Sequence, residues 1–371
     1  MFPSLRYTLW ITLAALGLLL PLRAQTGVRE EPQNAVITVP VVVHGKHGEL
    51  LPLLTAEDFT LTDNTHPQTI QSFAPDTSLP LTVGLLFETG PGQSSALHEK
   101  VHASKQFLNS LLSAHASGSA PRVFVVQFNR DVDLLEDPSA SASKAQQALS
   151  QVGVAQFHGD SNADSTANKG RHAKASGAAL YDAIYLATHN VLNTTAGRKV
   201  IVVLSDGIDQ GSKTTLNGAV EAAQRAGVAV YAIYFKGGRP PVEFRPSNRT
   251  NGNRGGYSGN YPGGYPGTYP GGYPGGGTDN PMPAPSGERR VDGRKMLEDI
   301  CNRTGGEMFD SRRQGLPRIF ARVMQQLNEA DMLQYTRTQT ATEPGFHHIR
   351  LKPKQKDVTI QMTEGYWLGD E

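Results

Sequence analysis

The chain has 371 residues, enough for one large domain or two to three smaller ones, and 38% apolar with 19% charged residues is ordinary for a globular protein. A net charge of +1 supplies neither a basic field for nucleic acid nor an acidic tail. The single cysteine, Cys301, excludes an internal disulfide framework and a cysteine-based zinc site. It falls in a helical pattern with Met296, Leu297 and Ile300, which predicts a buried structural thiol.

Residues 1–24 have the order of a signal peptide: Arg6 in a positive leader, an apolar run over 8–20, and Ala24 as a small residue before Gln25. The run is short of the roughly 20 residues that span a bilayer, so cleavage is expected, with an uncleaved anchor as the alternative. Cleavage removes Arg6 and Arg23 and leaves 33 basic against 34 acidic residues. No membrane span is expected in the mature chain, which would reside in the periplasm, cell envelope or medium.

Residues 36–43 read as a strand, Thr55 as the cap of a short helical turn, and 59–63 and 69–73 as alternating strands. Together 35–80 predict a small antiparallel β-unit. From Leu81 the pattern becomes α/β: a strand over 81–87 ending at Glu88, a helix over 96–112, a strand over 123–128 with a short one after it, and a helix over 139–152 capped by Ser139 or Ser141. A polar loop over 153–176 precedes a helix over 180–192. Residues 200–204 are apolar and mostly β-branched, the signature of a strand buried on both faces. It stops at Ser205-Asp206-Gly207, where open α/β sheets gather their ligands, although Asp206 could equally cap the turn. A helix over 214–226 and a strand over 228–235 follow, and the alternation predicts a Rossmann-like, doubly wound, mostly parallel sheet.

Residues 236–290 lack apolar periodicity and contain a Tyr-Pro-Gly repeat of period four, which predicts a disordered insert. The α/β pattern then resumes over 291–330, with a helix over 291–303, an edge strand over 307–309 and a periodic helix over 316–330. Three alternating strands over 332–338, 346–351 and 358–363 are expected to pair antiparallel as a second β-unit within residues 331–371, the small β-structure drawing on both ends of the chain.

Strand, Glu88-Thr89-Gly90-Pro91-Gly92, helix, strand, Gly177-Ala178-Ala179-Leu180-Tyr181-Asp182-Ala183, then Leu204-Ser205-Asp206-Gly207 resembles the von Willebrand factor type A domain, and more narrowly its exported bacterial relatives. The resemblance implies a partner-binding upper sheet edge, here Glu88, Thr89, Gly90, Gly92, Gly177, Ala178, Asp206, Gly207 and Asp209. It also implies a metal-ion-dependent adhesion site of aspartate, two serines, a threonine and a second aspartate. Those positions fall on Glu88, Gly90, Gly92, Ala178 and Asp206, so only Asp206 is retained. Magnesium wants octahedral oxygen ligation, which glycine and alanine side chains cannot provide. The site therefore reads as degenerate, with Glu88 and Asp206 as remnants, no metal or other cofactor expected, and weak magnesium binding as the exception.

No Gly-x-Ser-x-Gly, His-Glu-x-x-His or P-loop motif occurs, and His98, His158, His172 and His189 have no nucleophile in a recognisable pattern. The expected function is a non-enzymatic module that binds a protein or peptide outside the cytoplasm. Alternatives are a structural envelope protein contacting wall polymer through the Tyr-Pro-Gly tract and, behind it, a hydrolase.

Overall fold

The computed structural model describes residues 36–51, 54–75, 78–113, 120–153, 178–237, 292–337 and 344–369. The expected signal segment, Gly177, His158, His172 and nearly all of the polar loop and the insert lie outside them. In chain order the strands and helices are β1 (Val36–His44), β2 (Phe59–Asp63), β3 (His66–Gln68), β4 (Ile70–Pro75), β5 (Leu81–Glu88), α1 (Ser94–Ser113), β6 (Arg122–Phe128), β7 (Val132–Ser139) and α2 (Ala142–Gln151). There follow α3 (Leu180–Leu186), continued by a wider π-helical stretch Ala187–Leu192, then β8 (Arg198–Ser205), α4 (Leu216–Arg225), β9 (Val228–Tyr234), α5 (Gly293–Thr304) and β10 (Met308–Asp310). The chain closes with α6 (Leu316–Glu329), β11 (Asp331–Thr336), β12 (Gly345–Pro353), β13 (Thr359–Gln361) and β14 (Gly365–Leu368).

The central sheet has the order β10-β9-β8-β5-β6-β7, parallel except for β7, which lies antiparallel at the edge. Its middle strands are buried on both faces, and period-two alternation divides them between two cores. Leu85, Phe87, Val202 and Leu204 face α1, α2 and α6; Leu86, Ile201 and Val203 face α3, α4 and α5. Cys301 is fully buried in the second core, where loss of hydration holds its thiol well above the usual range. Gly84 is required inside β5 because a Cβ there would collide with the Phe124 ring of β6.

The remaining strands form two four-stranded sheets, β13-β1-β11-β4 and β14-β12-β2-β3, around Val41, Leu61, Leu333, Tyr335 and Ile349. The C-terminal strands are antiparallel, but they do not build a unit of their own. β11 pairs with β1 and β4, β12 with β2 and β14, and β13 with β1. Both sheets thus join strands from the two ends of the chain, because each half supplies too few apolar residues to close a core alone. Among the described residues no helix is long and apolar enough to cross a membrane.

Candidate functional site: the carboxyl edge of the central sheet

Parallel strands deliver Asp310, Tyr234, Ser205, Glu88 and Phe128 to one edge, and the loops beyond them bring the expected residues together. Thr89 donates its N–H to Phe128 O at 2.9 Å, and Ala179 donates to Asn129 O at 2.6 Å. Ala178 bridges to Asp209, with Gln210 N on Ala178 O at 3.1 Å. Gly207 takes φ +75°, where a side chain would also collide with the backbone of Gly293. Glu88, Thr89, Gly90, Ala178 and Gly207 are buried, so of the expected contact residues Gly92, Asp206 and Asp209 reach solvent.

Glu88 Oε2 accepts from Ser205 Oγ at 2.8 Å and from Asp206 N at 3.0 Å, and Ser205 Oγ in turn accepts from Gly207 N at 2.9 Å. The longer side chain therefore reaches across the strand ends to organise the turn after β8. Burial, and then the charge of Asp206, push the Glu88 carboxyl above its usual range. Asp206 Oδ1 accepts from Ile208 N at 3.0 Å, and its Oδ2 accepts from Gln93 Nε2 at 3.2 Å.

Two residues that the sequence reading missed complete the cluster. Gln93 is buried in the turn before α1, and Lys100 is fully buried on α1. The Lys100 ammonium donates to Gln93 Oε1 at 2.8 Å, Leu204 O at 3.2 Å and Glu88 O at 3.5 Å, and lies 4.5 Å from the Phe235 ring centre. Burial lowers its pKa to about 8 against the opposing pull of Glu88 and Asp206. Lys100 shares its face of α1 with Ala103, Ser104, Phe107, Leu108 and Leu111, so a lysine on the apolar stripe was the available signal.

The loops are braced from beneath. Asp182 accepts from Lys213 N at 2.9 Å and Thr214 N at 2.8 Å, bonds that hold its carboxyl below the usual range although burial works against them. Asp209 accepts from Tyr181 N at 3.2 Å and from the Ser212 hydroxyl. These bonds fix the start of α3 to the segment between β8 and α4.

The donors do not suit a divalent cation. Gly90, Gly92 and Ala178 supply no side-chain oxygen, three of the four Glu88 and Asp206 carboxylate oxygens already accept hydrogen bonds, and an ammonium group stands beneath them. Asn129 Oδ1, buried with no hydrogen-bond partner among the described residues, faces Gly90, but it adds a single ligand to a set that magnesium would need to fill to six. Among the described residues no group of three or more His, Cys, Asp and Glu could hold a metal.

Residues 93–245 match the family model of the von Willebrand factor type A domain. The chain carries a von Willebrand factor type A domain. The matched stretch begins just past Glu88, Gly90 and Gly92. BatB from Bacteroides thetaiotaomicron is 16% identical with TM-score 0.38, the match covering 67% of this chain and 98% of that one. An aerotolerance-related membrane protein from Bacteroides fragilis is 14% identical with TM-score 0.38 over the same shares. Proximal thread matrix protein 1 from the mussel byssus, with zinc in its adhesion-site motif, is 13% identical with TM-score 0.42, covering 71% of this chain and 48% of that one. No curated protein matches the chain.

Proposed function

We propose that this chain is an exported, non-enzymatic interaction module. Its type A domain grips a protein or peptide partner with the carboxyl edge of the central sheet and needs no bound divalent cation to do so. The observation that supports this reading is the self-contained construction of the edge: Asp182, Asp209 and Glu88 are each held by hydrogen bonds from the loops they organise. A surface fixed in advance loses little entropy on binding, which favours recognition. Export is supported by the leader-like order of residues 1–24.

A photoreactive residue at exposed Gln210 should cross-link one discrete partner in envelope fractions, with or without a chelator. The same probe at exposed Asn190, on the helix leading away from the edge, should not. A cross-link lost in chelator, or formed equally well from Asn190, would sink the reading. If removing residues 254–277 abolished all partner capture, contact with wall polymer through the Tyr-Pro-Gly tract would replace it.

A further inference from the structure

We propose that the Lys100 ammonium is a built-in counter-ion, which balances at this edge the negative charge that the fold's usual adhesion site balances with a divalent metal. Three N–H bonds of an ammonium group need three acceptors, and Lys100 has three: the Gln93 amide oxygen and the carbonyls that end β5 and β8. The Phe235 ring face closes the fourth side. Gln93 carries the charge onward, since its oxygen accepts from Lys100 while its nitrogen donates to Asp206 Oδ2. The ammonium thus faces Glu88 through its backbone and Asp206 through one amide.

Three further features fit this substitution. Glu88 performs by direct hydrogen bonds to Ser205 and Asp206 the bridging that a shared ligand would perform. Gly237 packs so closely on Asp206 Oδ2 that even a Cβ would collide with that oxygen, leaving little room for a cation's hydration shell. A divalent ion would also stand beside a buried positive charge, and in a low dielectric that repulsion is large. A lysine kept merely for its hydrocarbon stem would not need this set of acceptors.

The inference takes this edge as the working face, as proposed above, but its test reads stability and metal binding without any partner, so the two can fail separately. Lys100→Met keeps the stem and removes the charge, leaving Glu88 and Asp206 uncompensated; the melting temperature should fall by about 10 °C. Adding Glu88→Gln to that variant should restore more than half of the loss. Wild type in 1 mM manganese chloride should melt within about 1 °C of wild type in chelator. The proposal is overturned if Lys100→Met melts like wild type, if the double variant is no better than the single or neither folds, or if manganese clearly stabilises the wild type.

Discussion

Asp310 at the end of β10 is a buried carboxylate ringed by arginines. It accepts from Arg312 N at 3.0 Å, Nε at 2.9 Å and Nη2 at 2.7 Å, with Arg294 and Arg313 at 3.9 and 4.0 Å. The Arg312 hydrogen bonds hold its pKa below the ordinary 3.8. A carboxylate whose folded pKa is depressed contributes stability above its unfolded value and loses it as pH falls through the folded one. Asp310→Asn should therefore cost about 1 kcal/mol at neutral pH, modest because Arg312 is half exposed. The gap to wild type should close in thermal melts as pH falls below the ordinary carboxylate value and through the lower folded one. A gap that persisted at the acid end would show that the asparagine disturbs packing instead of charge.

At the scale of elements, close packing of backbones sets the tolerance to change. Gly306, between α5 and β10, donates to Cys301 O at 2.9 Å, and a Cβ on it would collide with the carbonyl group of Val230 in β9. Backbone cannot turn aside as a side chain can, so Gly306→Ala should cost about 3 kcal/mol, the upper end for overpacking. Chemical denaturation would measure it, and a loss below about 1 kcal/mol would mean that β10 slides freely on β9. The same scale shows what was legible. The apolar runs of β5, β8 and β9 and the periodic helices α1, α4 and α6 carry their burial in local spacing, so they were read directly. The partners of β11, β12 and β13 were not, because register across most of the chain leaves no local trace. Glu88 is singled out only by the resemblance to the type A domain and Asp206 by its place at the end of a buried strand, whereas Lys100 gives no such signal because an isolated lysine is nearly always solvated. Its position on the stripe with Phe107 and Leu111 carried the information, but only the folded contacts show which carbonyls receive it.

On the scale of the whole molecule, the small sheets pack against the amino ends of the central strands, near Arg198 and Val228. Gln361 donates to Tyr231 OH and Gly305 O, each at 3.2 Å, and Trp367 donates to Gln224 at 3.4 Å while Arg225 lies 4.4 Å from its ring centre. Arg303 and Glu364 add an ion pair at 3.1 Å. The sheets built from both chain ends are thereby tied to α4, α5 and β9, and the described residues should melt as one cooperative unit. The segment over 238–291 interrupts this unit at a place that tolerates it. Gly237 before it packs on the Asp206 carboxylate, and Gly293 just after it packs on the Asp206 carbonyl, so the two ends meet at one residue. Joining Gly237 to Asp292 through about six glycine and serine residues therefore asks for no rearrangement of β9 or α5. Loop-closure entropy grows only with the logarithm of length, so the shortened chain should differ from wild type by no more than about 2 kcal/mol, in the direction of greater stability. Calorimetry on both chains would decide the matter: a second transition, or loss of the cooperative melt in the shortened chain, would show that the segment supports the fold. A retained single transition would show that the fold does not depend on the segment.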